Sequence, residues 1–479
     1  MRQKKSNVIM NFLYNSAYQV LLIILPLITS PYISRILKSE GIGLYSYTYS
    51  IASVFAMFGL LGVNNYGSRT IAACLGDKKK YSVVFWNIFA IKGLASFAVL
   101  VVYLFYVSFI CPETYRMISY VQVITILTSF FDINWFFFGI EKFKLTVTRN
   151  TIIKVAIVVG VLTLVKDESD VVLYTLLVIG GEFISNIIIW PFLKKEVDYI
   201  KPTWDEMISH LPQLLILFIP VLAISVYNKM DKIMLGWMST LSQNGYYENT
   251  ERIINIPFGI ITALGTVMLP RMSSLYSQGN QRQTDQYIKL SMEFVILLSS
   301  AMTFGIAAIA KEFSPIFFGD GFDGVATLII LISPVIIIKA WANVIRMQYL
   351  IPLHYDRVYV VSVCLGAVVN LIINWLLIPR YAAVGAVIGT IIAELVVMFY
   401  QTLFVAKYLP VFKYFGQGIY YIVIGGIMFV VVRFVANRVR LSVVGLIVEV
   451  CAGAVVYAVL CLPYMYIKHK DIMKNLFRR

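Results

Sequence analysis

Apolar stretches of roughly 20 residues, each followed by a short polar break, recur from one end of this chain to the other. Each is long enough to carry a helix across a ~30 Å hydrocarbon core. Hydropathy places about fourteen of them, near 8–29, 41–63, 83–107, 116–138, 148–165, 171–192, 210–235, 246–269, 290–310, 325–350, 358–378, 383–406, 415–436 and 441–466. Backbone crossing lipid must satisfy its hydrogen bonds internally, which restricts such segments to helices. The predicted fold class is an all-α polytopic membrane protein with about fourteen transmembrane helices. Charged residues make up only 14% of the chain, against about a quarter in soluble domains. The basic start, MRQKK, resembles the first part of a leader peptide. The apolar run after it is too long for one and contains Asn11, Asn15 and Gln19, so it reads as a retained first span.

The net charge of +15 does not point to nucleic acid, because Lys and Arg collect in short tracts between spans. Those tracts are MRQKK, Arg69 with Lys78–Lys80, Lys142/Lys144/Arg149, Lys194/Lys195/Lys201, Arg271/Arg282/Lys289, Arg357, Lys407/Lys413 and the tail after Lys468. The alternate loops carry Asp167, Glu168, Asp170, Glu312, Asp320 and Asp323 instead. By the positive-inside bias, both termini are expected in the cytoplasm. No loop exceeds about twenty residues, so no soluble domain is expected. The five cysteines are scattered without metal-ligand spacing, and neither a metal nor another cofactor is expected. The three histidines sit at span ends or in the tail, no P-loop exists, and no catalytic constellation is visible.

The most informative stretch runs from Tyr227 to Arg271, where charges enter what otherwise reads as two spans. Asn228, Asp231 and Lys232 share one helix face. After a turn containing Gly245, Glu248, Arg252, Asn255, Gly259, Thr262 and Thr266 recur at steps of four and three, a polar or small stripe on an apolar helix. Such a stripe fits the lining of a wet passage, not a lipid-facing surface. In the first span Asn7, Asn11, Asn15 and Tyr18 lie near one face, with Arg35 just beyond. In the tenth, Lys339, Asn343 and Arg346 share a face below Pro334. Lys92 in the third span is similarly deep, whereas Lys154 near a span end reads as a snorkelling side chain. The buried carboxylates Asp132, Glu182, Glu394 and Glu449, with Asp231 and Glu248, are candidates for ion coupling or for pairing with a buried base. The deep charges lean cationic, and Arg matches phosphate oxygens bidentately, so the expected cargo carries phosphate or carboxylate.

A faint internal repeat relates SRILKSEGIGLYSYTYSI (34–51) to MDKIMLG…NGYYENTERI (230–253). Duplicated bundles are a common transporter plan. The runs LPLITSPYISRIL (25–37), EGIGLYSYTYSIASVFAMFGLLGVNNYGSR (40–69), YNKMDKIMLG (227–236), GYYENTERI (245–253), VMLPRMS (267–273), QYLIP (348–352) and VVNLIINWLLIP (368–379) resemble those of the polysaccharide repeat-unit flippases of the Wzx type. These are grouped with the MATE exporters and lipid II flippases, and the likeness extends through the first twelve spans. The resemblance implies two pseudo-symmetric six-helix lobes in a V, residues 1–200 and 201–410, with two additional spans and a tail in 411–479. It implies translocation of an undecaprenyl-pyrophosphate-linked oligosaccharide from the inner to the outer leaflet of a bacterial cytoplasmic membrane by alternating access. Surface polysaccharide such as O-antigen, capsule or exopolysaccharide would be the end product. Arg252 and Arg35 match arginines that line a cationic cavity in lipid II flippases. Lys232, Lys339 and Arg346 as further substrate-binding residues rest on spacing alone.

The chain is therefore expected to be a flippase and not an enzyme. Its partners would be the lipid-linked glycan and membrane lipids, with a polysaccharide polymerase and glycosyltransferases acting beside it. Two alternatives make different demands. A MATE-like exporter of cationic drugs calls for cavity acids to outnumber cavity bases, the reverse of this chain. An integral membrane polymerase or glycosyltransferase calls for a sizeable external loop or an acidic catalytic motif.

Overall fold

A computed structural model describes the backbone of residues 2–468 and, of the side chains, residues 18, 21, 22, 24–466 and 468. The side chains of Asn7, Asn11 and Asn15, which the sequence places on the first span's polar face, lie outside the described residues. Among the described residues every regular element is helical and no strand occurs. Twelve helical stretches are long and apolar enough to cross a membrane. Two of the twelve, Ile24–Ala73 and Asp356–Val405, run 50 residues each. A straight helix of that length would span about 75 Å, and both are broken. Lys38 interrupts the first at φ 55° and ψ −177°, and Ala382 interrupts the second at φ 48° and ψ −127°. The sequence reading left residues 30–40 outside the spans, but they are helical except at Lys38. Continuing the helix keeps each backbone amide bonded up to the reversal itself.

The chain divides into two compact units, Met1–Gly245 and Tyr246–Arg479. In the first, the ring of Phe85 stacks on Trp135 with centroids 5.3 Å apart, within a buried cluster that includes Val63, Ile88 and Phe136. The chain ends of several spans meet through ion pairs, Lys78 with Asp198 at 2.6 Å and Lys142 with Glu196 at 2.5 Å. Tyr81 adds a hydrogen bond to the Glu196 carbonyl at 3.0 Å. Three of the basic tracts thus share one end of this unit. At the opposite end of the helix Phe143–Leu164, Tyr32 donates to the carbonyl of Val165 at 2.6 Å.

Residues 39–43 and 241–245 approach each other at backbone distance. A Cβ on Gly43 would sit 1.8 Å from the carbonyl oxygen of Leu241, and one on Gly245 would sit 2.0 Å from that of Ser39. Asn244 Nδ2 seals the contact by donating to the Gly43 carbonyl at 3.2 Å. The turn between the two spans falls at Ser239–Thr240, and Gly245 lies inside the helix Leu241–Ser277. Its missing side chain serves close packing, not chain reversal.

In the second unit, the helix Gln281–Phe318 holds the two C-terminal helices Val411–Ala436 and Val443–Lys468. Gly418 and Gly425 let the first of these close onto Ile296 and Phe304. Glu293 accepts from Tyr421 at 2.8 Å and pairs with Lys468 at 2.8 Å. Further along, Glu312 pairs with Arg433 at 2.6 Å. These polar anchors tie the C-terminal helices to the helix Gln281–Phe318 near both of its ends.

Candidate functional site

The polar stripe of the helix Leu241–Ser277 survives as an accessible surface of the second unit. Asn255 and Thr266 are exposed, and Glu248, Arg252, Gly259 and Thr262 are half-buried. Arg252 Nε donates to Glu248 Oε1 at 3.0 Å, one turn away on the same helix. That pair holds the guanidinium on the stripe and leaves it partly open, with its side chain 21% exposed.

The cationic face of the span near 325–350 lies against the same helix. Lys339 Nζ sits 5.2 Å from the centroid of the Phe258 ring and 3.0 Å from Glu394 Oε1. A Cβ on Gly265 would lie 2.5 Å from Asn343 Oδ1, which places that amide directly on the stripe's helix. Arg346 stands 5.4 Å over the ring of Tyr359, and its Nε has no hydrogen-bond partner. Two faces recognised separately in the sequence are therefore neighbours. Glu248 pairs with Arg252 and Glu394 with Lys339, while Arg346 makes no ion pair among the described residues.

In the first unit, Arg35 is exposed and donates through Nη1 to the Pro31 carbonyl at 3.0 Å. Asp231 and Lys232 are both buried, at 6% and 8% exposure, whereas Asn228 on the same face is exposed. A polar cavity of about 550 Å³ opens among Tyr18, Asp132, Asn134, Asn150, Lys154 and Glu182. Lys154 does not snorkel, as its position near a span end suggested. It turns inward to Glu182 Oε1 at 2.6 Å, because a carboxylate across the cavity offers a stronger partner than the interface.

Asp132 is held differently. Its Oδ1 accepts from the Asn134 backbone amide at 2.9 Å and from Asn134 Nδ2 at 2.6 Å. Its carboxylate makes no ion pair among the described residues. Lys92, fully buried, gives its ammonium to the backbone carbonyl of Asp132. Asn134 passes the network on by accepting from Arg149 Nη2 at 2.8 Å, and Arg149 also binds Asn150 Oδ1 at 2.7 Å. Sequence reading placed Arg149 in a loop tract and missed this cluster. Its amides, Asn134 and Asn150, come from two helices and share no periodicity. No group of three His, Cys, Asp or Glu able to hold a metal occurs among the described residues.

Residues 8–276 match the sequence profile of a family described as polysaccharide biosynthesis protein. A protein of Escherichia coli K12 named "Putative O-antigen transporter" is 22% identical over 409 residues, covering 85% of this chain and 98% of that one. A Haloferax volcanii protein named "Probable low-salt glycan biosynthesis flippase Agl15" is 24% identical over 256 residues, 53% of each chain. Among solved structures, the lipid II flippase MurJ in an inward closed conformation superposes with a TM-score of 0.75 at 15% identity, covering 96% of this chain and all of that one. An inward-facing multidrug resistance MATE transporter reaches 0.56 at 13% identity, covering 82% and 99%. The fold is one that these helical membrane proteins share.

Proposed function

The chain belongs to the polysaccharide biosynthesis protein family, and from that premise we propose that it is a flippase for lipid-linked oligosaccharide. The observation that carries this reading is the accessible stripe of the second unit, where Arg252, Lys339 and Arg346 gather on an otherwise apolar helix pair. Basic groups along an accessible stripe suit an anion, and Arg suits phosphate. The names of the curated relatives, an O-antigen transporter and a glycan biosynthesis flippase, support a glycan cargo.

In detail, the cargo is an undecaprenyl-pyrophosphate-linked repeat unit, carried from the inner to the outer leaflet of a bacterial cytoplasmic membrane by alternating access. Arg252 in the second unit and Arg35 in the first are its phosphate-binding groups, with Lys232, Lys339 and Arg346 adding positive potential. The glycan occupies water and the polyprenyl tail stays in lipid. The chain divided at Lys38 and Ala382 makes fourteen spans, with both termini in the cytoplasm. A polymerase and glycosyltransferases supply and consume the cargo.

The cycle is driven by a proton or sodium gradient, and Asp132 is the coupling carboxylate. Glu182, Glu394 and Glu248 each have a basic partner within 3.0 Å. Asp132 lines the polar cavity with no ion pair to its carboxylate among the described residues, whereas Glu449, also without one, faces an apolar crevice, so Asp132 is the better able to exchange a proton or bind a cation.

Deleting the gene in its host and analysing lipid-linked intermediates and surface polysaccharide tests the reading. Loss of surface glycan, with single repeat units held on the cytoplasmic side, is expected. Normal glycan with new drug sensitivity would instead identify an exporter. Repeat units that reach the outer leaflet unpolymerised would identify an enzyme.

A further inference from the structure

The polar cavity of the first unit, about 550 Å³, is large enough for a small ligand, and its lining restricts which kind. Part of the lining is apolar, from Leu22, Met57, Ile153, Ile157 and Val221. Another part carries the pair Lys154–Glu182, in which Nζ and Oε1 lie 2.6 Å apart. That pair is not sealed in, since the two side chains are 30% and 34% exposed. An ammonium has several donors and a carboxylate several lone pairs, so one bond between them leaves capacity of both kinds at the cavity. Beside them Ser185 Oγ donates to Asn150 Oδ1 at 3.1 Å, and Ser225 joins the lining from the helix Trp204–Met238.

Simple ligands each meet an obstacle here. An anion faces two acids, Asp132 and Glu182, against one base, Lys154, on the lining. A metal ion faces Lys154, and among the described residues no group of three His, Cys, Asp or Glu could hold it. A wholly apolar molecule would strip water from Lys154, Glu182 and Asn150 and replace none of its hydrogen bonds. An uncharged sugar meets none of these. Each of its hydroxyls donates and accepts at once, so neighbouring hydroxyls can serve an ammonium and a carboxylate that stand side by side. The C–H face of its ring suits the apolar lining.

We propose that this cavity binds one uncharged sugar residue, its hydroxyls on Lys154, Glu182 and Asn150 and a C–H face on Ile153 and Ile157. In a flippase, the reading on which this assignment rests, that residue belongs to the glycan of the cargo.

Saturation-transfer NMR on the full-length protein, in a detergent without a sugar head group, tests it with galactose, N-acetylglucosamine, glucuronate and tetraphenylphosphonium as probes. At least one of the two neutral sugars should give a signal, severalfold above that of glucuronate. Ser225→Phe fills the cavity without changing its charge, and Glu182→Gln removes charge while keeping the shape. Each should lower the signal severalfold, and Val430→Phe, on an exposed apolar position of the second unit, should not. No signal from either neutral sugar, or full signal in either cavity variant, would overturn the proposal. So would stronger binding of glucuronate or tetraphenylphosphonium, which would make the cavity an anion or a cation site. In the host, normal surface glycan in Ser225→Phe where gene deletion abolishes it would remove the sugar site and leave the flippase reading standing. Glycan unchanged by the deletion would remove the flippase reading, with the sugar-binding signal still deciding the cavity.

Discussion

Lys339 Nζ rests 3.0 Å from Glu394 Oε1, joining two spans of the second unit through a carboxylate that is only 8% exposed. Losing one partner leaves a mostly buried charge uncompensated. Glu394→Gln should therefore destabilise by about 2–3 kcal/mol, somewhat below a fully enclosed pair because Lys339 keeps 22% of its side chain open. The double variant Glu394→Gln/Lys339→Met should recover most of the loss. Thermal unfolding of the four proteins in detergent forms the cycle. A double variant as unstable as the sum of the singles would mean that the two groups do not interact.

Gly43 and Gly245 should tolerate no side chain. The atoms a Cβ would meet are backbone carbonyls at 1.8 and 2.0 Å, which cannot rotate away. Gly43→Ala or Gly245→Ala should each cost at least 1–3 kcal/mol, roughly the range of an overpacked core, and folded yield in membranes should fall. Gly416 is the control: nothing lies within 4 Å of its Cβ position, so Gly416→Ala should be neutral or gain up to about 1 kcal/mol of helix propensity. Size-exclusion profiles of the three variants separate these outcomes.

Lys38 carries the opposite prediction. At φ 55° and ψ −177° it occupies backbone space that is nearly reserved for glycine and costs a non-glycine residue about 1–3 kcal/mol. Lys38→Gly should raise Tm, the relief outweighing the added freedom of the unfolded chain. A lowered Tm would show that the lysine side chain contributes more than its backbone costs.

Asp132→Asn separates charge from scaffold. The amide oxygen can still accept from Asn134, so insertion and Tm should change by no more than about 1 kcal/mol, the worth of an ordinary hydrogen bond. Export of surface glycan should stop. Export at the wild-type level would assign coupling to another group.

The sequence displays some of this plainly and hides the rest, for physical reasons. Spans are legible because lipid demands about 20 apolar residues each. The stripe from Glu248 to Thr266 is legible because one helix repeats its face every three or four residues. The reversals at Lys38 and Ala382 carry no glycine at the strained position, so composition could not show that a single residue makes the turn. Gly245 was read as a turn residue because glycine serves turns and close contacts alike, and only a neighbouring backbone distinguishes them. Arg149 with Asn134, or Lys154 with Glu182, are met only when separate helices pack. Their spacing along the chain carries no period to read.

The contact between residues 39–43 and 241–245 has one more consequence. The shift in numbering that carries Gly43 onto Gly245 also carries Ser39 onto Leu241, so the two close approaches are images of each other. Each segment thus supplies one glycine and one carbonyl to the contact, so neither can slide along the other without driving a Cα into a carbonyl oxygen.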